Sequence, residues 1–192
     1  ITNLTRHPAT PFIVIIGGAK IAGDKLPVMN QLINRADRIL VGGGVANTLL
    51  AAQGMDVKKS LYEPECLDEA RGILKKGKGK IVLPVDSIWD NDAIMDIGPK
   101  TVALFESYIK NAKTIFWNGN LGKTEEIRFR NSDKIAQALA NTDGTTIVGG
   151  GDTGAIIDRL GLQSELSFVS SGGGATLELL AGKTLPGIKA LG

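Results

Sequence analysis

Short apolar runs alternate along this chain with segments whose apolar residues recur at helical spacing. The runs are Phe12 to Ile16, Ile39 to Val41, Ile81 to Leu83, Thr114 to Trp117, Thr145 to Val148 and Leu166 to Val169. Each is about the length of a buried strand and rich in β-branched or aromatic residues. Between the runs the period changes. Leu26, Met29, Leu32 and Ile33 recur at helical spacing, as do Val102, Phe105, Tyr108 and Ile109, and then Ile135, Ala138 and Leu139. Strand–helix–strand units in series predict a parallel sheet with right-handed crossovers and helices on both faces. The expected fold class is α/β.

The residues that follow the strands carry the first chemical signal. Gly17-Gly18 follows the first run, Gly42-Gly43-Gly44 the second, Gly119 the fourth, Gly149-Gly150-Gly151 the fifth and Gly172-Gly173-Gly174 the sixth. In a doubly wound sheet these loops gather at the carboxyl ends of the strands, where ligands bind. Glycine there lets backbone N–H groups approach an anion with no Cβ in the way. Five such loops on one edge point to a phosphate-rich ligand.

Two familiar phosphate motifs are weighed against this pattern. Gly122-Lys123-Thr124 and Gly182-Lys183-Thr184 end like a P-loop, but Trp117 and Leu177 stand where its first glycine belongs. Gly149, Gly151 and Gly154 satisfy the dinucleotide fingerprint. The acid expected at the end of the next strand is replaced by Ser170 and Ser171, and the motif falls late in the chain. A dinucleotide-binding domain of an oxidoreductase therefore stands as the alternative to a kinase, beside a non-catalytic nucleotide-binding module. Lys20 and Lys25, after the first glycine turn, suit neutralisation of a phosphoryl group in transfer. Asp152 and Thr153, at the mouth of the fifth strand, suit a helix cap and a magnesium ion held on nucleotide phosphates.

Composition narrows the classes further. The 192 residues suffice for one domain, and 43% hydrophobic with 22% charged residues is ordinary for a globular protein. A net charge of +2 says little about partners, no long basic stripe suggests nucleic acid, and Lys75, Lys76, Lys78 and Lys80 read as a solvated turn before a strand. The single cysteine, Cys66, fits a reducing, cytoplasmic compartment, and no apolar run is long enough to span a bilayer. His7, the only histidine, lies in a polar segment and is assigned no catalytic role. The chain begins at Ile1 without a methionine, and the expectation is a piece of something longer.

The motifs then become recognisable. Pro11-Phe12-Ile13-Val14-Ile15-Ile16-Gly17-Gly18-Ala19-Lys20 resembles the start of the C-terminal domain of the phosphoglycerate kinases. Asp96-Ile97-Gly98-Pro99-Lys100-Thr101 is similar to that family's D-x-G-P-x-T segment. Trp117-Asn118-Gly119 opens its W-N-G-P-x-G-x-F-E motif, Gly149 to Thr153 is similar to G-G-G-D-[TS], and Val169 to Ala175 to V-S-T-G-G-G-A. Leu177 to Lys183 and Leu185-Pro186-Gly187 resemble its ending.

The resemblance implies a six-stranded parallel Rossmann-like sheet in the order 3-2-1-4-5-6. It implies one nucleotide-binding domain over residues 1–192, with residues 1–10 as the interdomain connection and the phosphoglycerate-binding N-terminal domain absent. The implied activity is phosphoryl transfer between 1,3-bisphosphoglycerate and ADP, with Mg2+ on ADP or ATP as cofactor, in a monomer. Lys20, Lys25, Gly172 and Gly173 are the implied catalytic positions. Gly18, Ala19, Lys25, Gly42, Gly43, Gly98, Asn118, Glu125, Gly150, Gly151, Asp152 and Thr153 are the implied nucleotide contacts, with Glu125 on the ribose and Asp152 toward magnesium.

This chain departs from the family pattern in three places. Four residues, Ile21 to Asp24, separate Lys20 from Lys25 where the family has three. Asn120, Lys123 and Thr124 stand where it prefers proline, an apolar residue and phenylalanine. Only Ser87 to Met95 fill a segment that is longer in the family.

Overall fold

The computed structural model describes residues 8–19, 25–170 and 172–180. Six strands form one sheet: β1 (Phe12–Ile16), β2 (Arg38–Val41), β3 (Ile81–Val82), β6 (Thr114–Asn118), β7 (Thr145–Gly149) and β8 (Phe168–Ser170). Their order is β3-β2-β1-β6-β7-β8, and every pairing within the sheet is parallel. Counted by the six apolar runs, that is 3-2-1-4-5-6. The α/β class and the strand order are as the sequence implied.

The strands read as continuous apolar runs because both faces of the sheet are covered. Phe12, Val14 and Ile16 of β1 point into one core, with Leu26, Met29 and Leu32 of α1 (Lys25–Leu32), Val45 and Leu49 of α2 (Gly43–Ala52) and Ile73 of α3 (Leu67–Lys76). Ile13 and Ile15 point into the other, with Phe105 and Ile109 of α4 (Pro99–Lys110), Ile135 and Leu139 of α5 (Asn131–Ala140) and Ile156 of α6 (Gly151–Leu160). The last helix, α7 (Gly173–Leu180), sends Leu177 into the first core. Alternation along each strand thus splits its side chains between two apolar layers.

Several elements differ from the sequence reading. The segment Gly43–Ala52, read at its start as a loop, is helix α2, buried at every position from Gly44 to Leu50. With no exposed face over those seven residues it shows no amphipathic stripe to detect. Lys75 and Lys76 are not in a turn but close the last turn of α3, where cations complement the helix dipole.

Residues 87–97 form a separate antiparallel hairpin, β4 (Ser87–Asp90) and β5 (Ala93–Ile97). Its two turn residues, Asn91 and Asp92, take φ of 49° and 64°, the left-handed values that two-residue hairpin turns require. The short segment between Asp86 and Asp96 is therefore a closed hairpin.

Candidate functional site

Parallel strands bring the glycine loops to one edge, where backbone hydrogen bonds join them. Gly17 N–H donates to Asn118 C=O (2.9 Å), Gly18 N–H to Asn120 C=O (2.7 Å), Gly43 N–H to Leu121 C=O (2.9 Å) and Gly44 N–H to Gly18 C=O (3.0 Å). The loops after β1, β2 and β6 lie so close that a Cβ on Gly43 would stand 2.8 Å from the Asn120 carbonyl oxygen. These glycines serve backbone-to-backbone approach first, and their amides are already engaged.

Beside this seam lies a cavity of about 430 Å³. Gly18, Ala19, Gly43, Glu125 and Asp152 line it, so five of the expected contacts come together. Gly42, Gly98, Asn118, Gly150, Gly151, Thr153, Lys25 and Gly172 are outside that lining, in the strand end, loops and helix starts around it. Gly173 opens α7 on the same edge, and Lys20 lies outside the described residues.

Several of these neighbours have structural partners. Thr153, fully buried, accepts the Gly119 N–H on its hydroxyl at 2.7 Å. Asn118 donates its amide to the Gly149 carbonyl at 2.7 Å. Lys25 Nζ donates to the Gly17 carbonyl and sits against Gly18 and Gly119, which places its charge among the glycine loops.

Gly98 leaves room for Asp86, whose carboxylate accepts from the N–H groups of Lys100 (3.0 Å) and Thr101 (2.7 Å) and from the Thr101 hydroxyl (2.7 Å). Burial pushes the Asp86 carboxyl up. The Thr101 hydroxyl, those two N–H groups and the Lys100 charge outweigh it and hold the group below its ordinary value.

At the start of α6 the backbone is arranged differently. Its cap, Gly150, donates its own N–H to Ser170 C=O (2.9 Å), and no side chain caps the helix. Exposed Asp152 sits in the first turn and faces the cavity. An uncapped helix start at a strand end suits an anion, and a carboxylate beside it suits a cation carried on that anion. Among the described residues no group of three or more His, Cys, Asp and Glu side chains converges. Asp152 shares the cavity lining with two other carboxylates, Asp96 and Glu125.

The far wall was not read from the sequence. Asn47 of α2, Lys59 and Leu61 after it, and Ala93 to Asp96 of β5 line the cavity, as do Gly44 and the segment Asn120 to Lys123. Ion pairs from Lys58 (3.6 Å) and Lys59 (3.2 Å) to Asp92, with Ile94 N–H on the Ser60 hydroxyl (2.8 Å), hold the hairpin to that loop. Asn47 was detectable as a polar residue within an apolar helical stretch. Asp96 was visible in a motif but carried no assigned role. Two of the departures meet: Asn120 Nδ2 donates to Thr124 Oγ1 at 2.7 Å, a polar pair in place of proline and phenylalanine.

The phosphoglycerate kinase family model matches residues 1–183. The chain belongs to the phosphoglycerate kinase family. It is 46% identical over 202 residues to a phosphoglycerate kinase of Lactobacillus helveticus, covering 95% of this chain and 50% of that protein. A Campylobacter concisus phosphoglycerate kinase is 41% identical over 215 residues, covering 98% and 53%. The chain thus spans about half the length of the curated relatives it matches. The solved phosphoglycerate kinase of Coxiella burnetii superposes with a TM-score of 0.91 at 37% identity, over 99% of this chain and 55% of that one. That of Pyrococcus horikoshii gives 0.87 at 29% identity, over 99% and 54%.

Proposed function

We propose that this chain is the nucleotide-binding half of a phosphoglycerate kinase, binding Mg-ADP and Mg-ATP for phosphoryl transfer between 1,3-bisphosphoglycerate and ADP. One observation carries the reading. A cavity is lined by the glycine-bearing loops after β1, β2 and β6 and reaches the start of α6, which no side chain caps, at Asp152. Leu61, Ile94 and Met95 on its lining suit a base, and Glu125, on the same lining, would accept from a ribose hydroxyl. The α6 N–H groups then receive the phosphates. Magnesium bound on those phosphates with Asp152 supplies positive charge that the developing transition state needs.

The chain's own residues do the positioning. Lys25, at the seam of the glycine loops, and Lys20 bring cations to the terminal phosphate, and the starts of α6 and α7 favour negative charge there. The acyl phosphate donor belongs to the other half, so in-line transfer needs the two halves brought together.

Calorimetric titration of the chain with Mg-ADP, and separately with NAD, tests the reading. Saturable binding of Mg-ADP, weakened by Lys25→Ala and Asp152→Ala and absent for NAD, is expected. NAD binding, or a folded chain indifferent to Mg-ADP, would overturn it.

A further inference from the structure

The hairpin, the segment after β6 and the start of α5 meet in a buried polar knot beneath the cavity. Asp96, 1% exposed, accepts the Asn131 N–H on one carboxylate oxygen (2.8 Å) and the Ile97 N–H on the other (2.8 Å). Asn131 returns its side-chain amide to Ile97 C=O (2.7 Å), and Ser132 accepts the Leu121 N–H on its hydroxyl (3.0 Å). Lys123 N–H donates to Met95 C=O (2.8 Å). Gly122 passes directly over the Asp96 carboxylate, in space that any Cβ would occupy. Residues 119–125 are therefore a strap tied at Leu121 to α5, at Lys123 to β5, and resting at Gly122 on Asp96.

Asp96 also lines the cavity. A buried carboxylate costs desolvation that only its hydrogen bonds offset. Two backbone N–H groups on separate oxygens make a carboxylate the fitting acceptor here, because an amide would set an N–H against one of them.

We propose that Asp96 is a positioning residue, holding the strap and the start of α5 in the register that presents Lys123 and Glu125 to the ligand. This rests on the nucleotide reading of the cavity, since Glu125 is the proposed ribose contact. The effect of Asp96 therefore passes through the strap and belongs to the nucleoside end of the ligand.

The experiment measures Mg-ADP and inorganic pyrophosphate affinities by calorimetry for the native chain, Asp96→Asn, Gly122→Ala, Glu125→Ala and Asp96→Asn/Glu125→Ala. Amide hydrogen exchange is followed at Leu121 and Lys123 in the same proteins. Asp96→Asn and Gly122→Ala are expected to weaken Mg-ADP by roughly tenfold, the scale of one buried hydrogen bond to a charged group, and to leave pyrophosphate unchanged. In the Glu125→Ala background Asp96→Asn should cost little more, because the two act through one contact. Leu121 and Lys123 amides should exchange faster in Asp96→Asn.

Native Mg-ADP affinity in folded Asp96→Asn and Gly122→Ala would overturn the proposal. So would additive losses with Glu125→Ala, or equal loss for pyrophosphate. If the native chain binds no nucleotide, the nucleotide reading fails, and unchanged strap exchange in Asp96→Asn would then separately refute the hold of Asp96 on the strap.

Discussion

At the scale of single residues, the glycine edge is held as much by its neighbours as by its glycines. Thr153 is fully buried and its hydroxyl receives the Gly119 N–H, so Thr153→Val would leave that amide without a partner. A loss of about 1–3 kcal/mol in urea unfolding is expected, with faster exchange at Gly119. Asp96 has a distinct signature in pH. Burial, set against the N–H groups of Asn131 and Ile97, with Asp133 raising and Lys134 lowering it, pushes its carboxyl up from 3.8 to about 6. The folded chain then keeps this proton at pH values where the unfolded chain has released it. The contribution to stability is full below about pH 4 and is lost as pH rises through about 6, on the order of 2–3 kcal/mol. The difference in unfolding free energy between the native chain and Asp96→Asn, followed from pH 4 to 7, should show that slope. A flat difference would refute it. Asp152 and Lys25 were legible as candidates because their motif sequence marked them, whereas Asp96 acquires its character only from burial.

Among the elements, those whose own residues state their environment were the legible ones. Strand β1 is apolar throughout and β6 and β7 are apolar at their centres because both faces are covered, and α4 and α5 show the stripe that faces one core. Helix α2 lacked a stripe because it is buried nearly all round, and the hairpin is a pair of short strands that pair only with each other. Helix α4 gains its start from outside its own sequence: its cap, Gly98, offers no side chain, and Asp86 supplies the acceptors from fourteen and fifteen residues upstream. Asp86→Ala should lower stability by about 0.5–2 kcal/mol at neutral pH, read from chemical denaturation. Because the folded carboxyl is held below its ordinary 3.8, this contribution is present above about pH 4 and is lost as pH falls through the lower folded value. The native chain and the variant should therefore converge in strong acid.

For the whole molecule, the two layers of core fix the sheet, and the sheet fixes where chemistry can occur. The chain spans about half the length of its curated relatives, and the proposed reaction needs a donor that the other half would hold. The chain alone is expected to bind Mg-ADP while a coupled assay detects little or no turnover, with activity restored when a complementary N-terminal half is added. Near-normal turnover by the chain alone would refute that division of labour. What the sequence by itself determined was the α/β class, the strand order that the family motifs implied and the edge on which the glycines collect. Each of these depends on residue type and spacing over short stretches. Only the tertiary structure decided the far wall of the cavity, the tie between strap and hairpin, and the buried knot at Asp96. Those depend on partners such as Asp96 and Asn131, thirty-five residues apart, whose meeting no local pattern encodes. Desolvation then gives such groups their chemistry, and burial is a property of the packed chain.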